Sequence, residues 1–523
     1  MTKLLKRRLG KRNRKIEISG DTDHLKQFRL SEDISDNIMR LKNIMNDSFD
    51  IKSRFFRIGG TDLQAAVLYI ESLVNEEMIM NHLLKPLILQ STSVIESGVA
   101  VNFQTIKDSM LSIGSIQEAE TFDEIVLGIM SGDTFLSVQG YTKGLILSAR
   151  EYEGKPFGIP TVEPSVKGPQ EAFVEILKKN LGLIRKRIRD PNLAFELYKI
   201  GKRSKSDTVI VYIKGIADQD IVDEVRGRLS SIDLDIELTA FQIGRLLVER
   251  PNSIFPLVQT TERPDKLVSA ISEGRVAILI NGSPDAILVP VTFPILMQSV
   301  DDYFENWFVA SVIRFSRYIG LFLSSLFPAL YIAVTSFHPG MLPTSLVLSI
   351  AATRAGVPFP AVIEAVLMEV ILELLQEASI RLPKVVGETV SIVGGLVIGQ
   401  AAVQAGIVSP IMVIVISITA VTSFVIPDYS LSLATRIIRV PFMILAVTFG
   451  SFGIAMGMLI LLTYLSSLKS FGIRYLSPLT PYRFRDWKDT IIRTPLWTLT
   501  KRPEFLNPED TNRAGPAKRR NKQ

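Results

Sequence analysis

The alternation of apolar and polar positions changes character twice along the chain. Up to about residue 300 charges are frequent and apolar runs are short; from about 319 to 465 apolar runs of membrane length dominate, and after 468 the chain is basic. A hydrocarbon core about 30 Å thick takes roughly 20 apolar residues in helix. Residues 319–337 (IGLFLSSLFPALYIAVTSF), 391–410 (SIVGGLVIGQAAVQAGIVSP), 411–427 (IMVIVISITAVTSFVIP) and 440–465 (VPFMILAVTFGSFGIAMGMLILLTYL) carry no charge and approach or exceed that length, so four spans are expected.

The polar part carries an internal repeat. FDEIVLGIMSGDTFLSVQG (122–140) and PDKLVSAISEGRVAILING (264–282) share a pattern in which Asp123 answers Asp265, Gly132 answers Gly274 and Gly140 answers Gly282. Each segment of helical period ends at a glycine, where a left-handed cap is easiest, and then enters a strand. A second glycine turns that strand into a hairpin. Upstream, DLQAAVLYI followed by NEEMIMNHLLKPLIL parallels DTVIVYIKG followed by DQDIVDEVRGRLSSI, each a strand leading into an acidic helix start that suits the helix dipole. Between the copies, the glycine and proline of GKPFGIPTVEPSVKGPQEAF mark a linker running into a helix at 170–188.

The expected fold is an α/β soluble N-terminal region of two related subdomains, followed by an all-α multipass membrane domain. The expected segments are a basic, flexible stretch 1–49, subdomain 1 at 50–150, linker and helix 151–189, subdomain 2 at 190–298, a transmembrane helical domain 299–467 and a basic cytoplasmic tail 468–523.

In the membrane part, spans associate by close packing, and small residues let backbones approach. Gly395 and Gly399 form a GxxxG pair beside Gly394, and Ala402 and Gly406 repeat the spacing, so this helix is expected to admit a neighbour. Gln400 and Gln404 share one face. An amide in hydrocarbon needs a partner, so that face meets another helix or lines a pore.

The segment PFPAVIEAVLMEVILELLQEASIRLPK (358–384) has membrane length yet carries Glu364, Glu369, Glu373 and Glu377. At 100° per residue the last three lie within about 80° of one another. An ionised carboxylate facing lipid costs several kcal/mol, so the stripe should face water, cations, or Arg381 and Lys384. Three arrangements meet that demand: an interfacial amphipathic helix, structural pairing with bases, or a ring of carboxylates lining a cation pathway when several copies surround an axis. The third makes Glu364, Glu369, Glu373, Glu377, Gln400 and Gln404 pore-lining candidates and requires a homo-oligomer. If the glutamate helix crosses once, the basic tail ends outside; if 343–353 and the glutamate helix form a re-entrant pair, the tail stays inside, and the positive-inside tendency favours the second.

Charge and composition narrow the function. The first fifteen residues hold eight basic and no acidic ones with no apolar run after them, so no signal peptide is expected and the N-terminal region should remain cytoplasmic. After residue 468 there are thirteen Lys and Arg against five Asp and Glu, a bias that suits anionic lipid on the cytoplasmic face. No reading module accompanies it, so nucleic acid is not an expected partner. With no Cys in the chain, thiolate chemistry is excluded. Three scattered His and the lack of a phosphate loop or nucleophile elbow predict no metal, no cofactor and no enzymatic activity.

Residues 381–431 (RLPKVVGETVSIVGGLVIGQAAVQAGIVSPIMVIVISITAVTSFVIPDYSL), with GPQEAFVEILKKNLGLIRKRI (168–188), ERPDKLVSAISEGRVAILINGSPDAILVPVTF (262–293) and SVDDYFENW (299–307), resemble the A subunits of GerA-type spore germinant receptors. The strongest motif falls on Gly394, Gly395, Gly399, Gln400 and Pro410. The resemblance implies a multipass protein of the inner spore membrane with a cytoplasmic N-terminal region. It also implies a nutrient-binding, transporter-like B subunit, a lipoprotein C subunit, and assembly of A subunits into a pentameric ring that releases monovalent cations. The rival readings are a SpoVAF-like accessory channel without its own nutrient-binding partner, and a membrane-anchored scaffold that does not conduct. An alternating-access transporter is disfavoured by the lack of an inverted repeat.

Overall fold

The computed structural model describes residues 22–90, 101–151, 158–236, 239–381, 394–395, 397–483 and 485–514. The whole basic N-terminal run, residues 391–393 and 396 of the glycine-rich stretch, Lys384 and the last nine residues fall outside this set.

Two five-stranded antiparallel sheets of the same topology form the N-terminal region. The first contains β1 (Ile51–Arg57), β2 (Gln64–Ile70), β3 (Ile116–Ala119), β4 (Thr134–Val138) and β5 (Gly144–Leu147), in the spatial order β1-β2-β4-β5-β3. The second contains β6 (Leu193–Ile200), β7 (Ser206–Ile213), β8 (Gln259–Thr261), β9 (Val276–Ile280) and β10 (Ala286–Val289), in the order β6-β7-β9-β10-β8. The repeat read from glycine spacing is therefore a duplicated sheet. Its hairpins are β4–β5 and β9–β10. The glycines behave alike: Gly132 and Gly274, at φ +94° and +106°, end helices α2 (Phe122–Met130) and α6 (Pro264–Ser272). A side chain is strained in that backbone region.

Both faces of each sheet are covered, which explains central strands that read as unbroken apolar runs. In the first sheet, Ala66, Leu68 and Ile70 pack with α1 (Ile34–Ile44) and α2, while Ala65 and Val67 face residues 79–87 and 103–113. In the second, Val209, Val211 and Leu279 meet α3 (Leu177–Arg187) and α6, and Ile210, Ile278 and Ile280 meet α4 (Gln219–Ser230) and α5 (Ala240–Leu247). Adjacent residues point to opposite faces, so one strand serves two cores. The helix expected at 170–188 begins later, at Leu177. Arg185 from α3 ties the sheets together: fully buried, it holds Asp50 by two contacts of 3.0 and 3.1 Å and lies 4.4 Å from the centre of the Phe195 ring.

The C-terminal helices are α7 (Asp301–Phe304), α8 (Trp307–Ser336), α9 (Thr344–Arg354), α10 (Ala361–Arg381), α11 (Pro410–Ser423) and α12 (Tyr429–Ser467), with residues 394–395 and 397–404 also helical. Their directions follow from contacts. Arg439 of α12 donates to the Ser324 carbonyl at 2.8 Å, and a Cβ at Gly450 would lie 3.0 Å from Phe337, so α8 and the first part of α12 run parallel away from the sheets. Helix α10 runs back, its Glu369 and Glu373 meeting Arg439 and Arg436 in turn.

The stretch 440–465, expected to be one span, is not one helix. At Gly450 (φ 61°, ψ −141°) the backbone leaves the helix, and beyond it Gly453 lies against the Leu445 carbonyl and Gly457 against Phe442 and Leu445. Residues eight to fifteen apart cannot touch along a straight helix rising 1.5 Å per residue, so α12 is a hairpin of two arms, 429–449 and 451–467. Hydropathy misses the break because glycine alone tolerates that backbone conformation. The second arm returns to the α/β region, where Tyr464 Oη bonds Ser253 Oγ at 3.2 Å and Ser470 Oγ donates to the Leu257 carbonyl at 2.7 Å. The second arm thus brings the start of the tail beside the sheets by way of the Gly450 hairpin. One core, including Phe255, Leu257, Val291, Leu326, Met412 and Leu465, joins the two regions.

Candidate functional site: the glutamate helix and its arginine partners

Helix α10 is apolar for most of its 21 residues, and its four carboxylates are each matched to an arginine. Glu364, fully buried, lies 3.4 Å from Arg354 of α9 and accepts from the Ser409 backbone N–H at 2.8 Å. Glu369 forms a close pair with Arg439, whose side chain is also fully buried. Glu373 meets Arg436 at 3.0 Å, and Glu377 meets Arg381 one turn along the same helix at 2.5 Å. The first two pairs lie inside the bundle; the last two leave their acids about half exposed, at 54% and 55%.

This division has a physical basis. A buried carboxylate without a counter-charge is costly by several kcal/mol, and hydrogen bonds plus a paired guanidinium offset that cost. Glu364 and Glu369 therefore fix the position of α10 against α9, α11 and α12. Glu373 and Glu377 keep part of their surface free for a further partner. Of the bases expected from the sequence, Arg381 pairs as expected, but Arg354, Arg436 and Arg439 were not anticipated. They sit on other helices, and Arg439 is 70 residues from Glu369.

The glycine-rich helix packs antiparallel to α10. A Cβ on Gly394 would come within 2.8 Å of Leu375, one on Gly399 would touch Val413 of α11 at 3.6 Å, and Ala402 is buried. Among the described residues a Cβ on Gly395 would have nothing within 4 Å, so there the two glycines of the GxxxG pair do not serve the same contact. Gly406 turns the chain toward Pro410 with φ +67°. Gln400 and Gln404 are both exposed. Beside them, an apolar cavity of about 860 Å³ opens between α10 and this helix, lined by residues such as Val366, Val370, Val397 and Ile398.

A second polar cluster joins the regions and was not recognised from the sequence, although SVDDYFENW contains two of its members. Asp302 accepts from Arg314 and Arg317 of α8, each at 2.8 Å, and Arg314 also meets Asp489 of the tail at 2.7 Å. Tyr303 donates to Asp489 at 2.8 Å, and burial pushes its hydroxyl well above the ordinary tyrosine range, so it stays a donor. The entry of α8, the end of the α/β region and the tail are thus locked by one network. Among the described residues no group of three His, Asp or Glu is placed to hold a metal ion.

By length and composition, α8 and the two-armed α12 are long and apolar enough to cross a membrane. The family described as Bacillus/Clostridium GerA spore germination protein matches residues 39–505, and the chain belongs to that family. Spore germination protein KA of Bacillus subtilis (strain 168) is 39% identical over 491 residues, covering 94% of this chain and 90% of its own length. Uncharacterized membrane protein YfkQ of the same strain is 37% identical over 495 residues, covering 95% of each chain. The crystal structure of the N-terminal domain of the A subunit of the Bacillus megaterium spore germinant receptor GerK3 is 30% identical, covers 51% of this chain and 98% of its own, and superposes with a TM-score of 0.40.

Proposed function

We propose that this chain is the A subunit of a nutrient-germinant receptor in the inner membrane of the spore, and that several copies form a ligand-gated channel for monovalent cations. The observation that carries the reading is that Glu373 and Glu377 are half exposed on a mostly apolar helix, with exposed Gln400 and Gln404 on its neighbour. Carboxylates in such a setting are tolerated when they face water or cations, and a ring of them favours cations over anions. Glu364 and Glu369, first grouped with the pore-lining candidates, are engaged inside the chain and act in this reading as supports.

Membrane topology belongs to the same proposal. Helices α8 and α10 and both arms of α12 cross the membrane, while the glycine-rich helix and α11 enter and return. The N-terminal region and the basic tail then share the cytoplasmic face, in keeping with the positive-inside tendency. A B subunit binds the nutrient and a C subunit completes the complex. Nutrient shifts the ring toward its open form only by as much as it favours that form.

A non-conducting scaffold is the second reading, favoured by the fact that each glutamate of α10 has an arginine within the chain. Spores carrying Glu373→Gln with Glu377→Gln separate the two. The channel reading predicts that nutrient-triggered release of monovalent cations falls severalfold at unchanged protein level; the scaffold reading predicts unchanged release.

A further inference from the structure

A cavity of about 220 Å³ lies where α6 and the edge strand β8 meet α7, directly before the first long helix. Gln259 of β8 and Arg275 both line it, and they are only 1% and 3% exposed. Arg275 Nη1 donates to Gln259 Oε1 at 2.9 Å, which fixes the amide orientation and leaves Gln259 Nε2 buried with no partner among the described residues. A buried amide donor left unsatisfied costs about 1–3 kcal/mol, so an acceptor is called for.

The charges around the cavity indicate what kind of acceptor. Asp265 is paired with Arg263 at 2.8 Å, Lys266 with Glu163 at 2.5 Å, and Glu273 faces Arg513 of the tail at 3.5 Å. Arg275 alone has hydrogen bonds only to neutral oxygens, those of Pro290, Gln259 and Leu288. Burial pushes its guanidinium down to about 10, a shift that the nearby Glu273 carboxylate only partly opposes. The rest of the lining includes apolar Ala270, Ile295, Val300 and Phe304. An apolar cavity of about 150 Å³ already accommodates benzene, so there is room here for a body of that size and a carboxylate.

We propose that this cavity binds a small organic monocarboxylate, its oxygens accepting from Gln259 Nε2 and facing Arg275, its apolar body against Phe304 and Ile295. Phe304 ends α7, three residues before α8 begins, so an occupant here touches the element that leads into the helical region.

The test uses the full chain in detergent micelles, titrated by ¹⁹F NMR with 4-fluorobenzoate and with its neutral isostere 4-fluorobenzamide. The proposal predicts one saturable site for the acid and binding of the amide weaker by about tenfold or more. Gln259→Glu places a carboxylate against Arg275 and should abolish saturable binding of the acid while the melting temperature holds or rises. Gln259→Leu removes the donor and should weaken binding of the acid by about tenfold, with folding checked by the same melting measurement. Equal binding of acid and amide, no saturable binding of either, or a folded Gln259→Glu variant that binds like the parent overturns it.

Discussion

Arg436 on the first arm of α12 reaches Glu373 on α10 at 3.0 Å, yet Glu373 remains 54% exposed while Arg436 is only 11% exposed. One member of the pair is anchored and the other faces outward. Arg436 also donates to Gln376 Oε1, and an ion pair whose acid is exposed contributes about 0–1 kcal/mol, so Glu373→Gln should leave the melting temperature nearly unchanged. Its effect should appear in nutrient-triggered cation release, measured in spores with immunoblotted protein levels as the control.

Glu369 gives the opposite result. Its removal leaves Arg439 buried without a counter-charge, at a cost of about 3–5 kcal/mol. Glu369→Ala should therefore reduce the amount of folded protein, and pairing it with Arg439→Met should recover most of the loss. Thermal unfolding of the purified single and double variants checks both statements. A single variant as stable as the parent removes the supporting role assigned to this pair.

The hairpin in α12 turns on Gly450, where a Cβ would lie 3.0 Å from Phe337 and 3.2 Å from His338 Nε2. Gly450→Ala should destabilise the helical region by about 1–3 kcal/mol, the range for a side chain held in glycine-only backbone space. Because the chain has no Cys, single-cysteine mapping is free of background. Cysteines placed at Ser204 and Asn512 should be labelled from one side of the membrane by an impermeant maleimide, and one at Ser345 from the other. Labelling of Asn512 and Ser345 from the same side contradicts the hairpin.

On the second sheet, burial raises Glu196, but hydrogen bonds from Arg226 and Tyr212 outweigh it and hold the carboxyl below the ordinary glutamate range. A carboxyl depressed in the folded state contributes stability that is complete above its unfolded value, about 4.3, and is lost as pH falls through the folded value. The melting temperature of the parent should drop more steeply below about pH 4.3 than that of Glu196→Gln. Parallel curves remove the assignment.

The duplicated sheets were readable because they depend on local signals: Gly132 and Gly274 mark equivalent left-handed caps, and the strands after them are apolar at equivalent places. The glutamate stripe was readable for the same reason, since it lies on one helix. Its partners Arg436 and Arg439 were not, being 63 and 70 residues from their acids. Such pairings are set by how helices cross, which the spacing along one helix does not encode. The Gly450 turn was hidden because hydropathy sums over a run and carries no backbone angle. The spacing of Gly450, Gly453 and Gly457 was the available sign, since small residues at those intervals let two arms of one segment approach.

The most direct measurement is the symmetry and interior of the purified assembly by single-particle electron microscopy in lipid nanodiscs. The channel account predicts a closed ring of copies with Glu373 and Glu377 turned toward a hydrated central axis. A protein that remains a single copy, or a ring in which those two carboxylates face lipid on its outer wall, contradicts it.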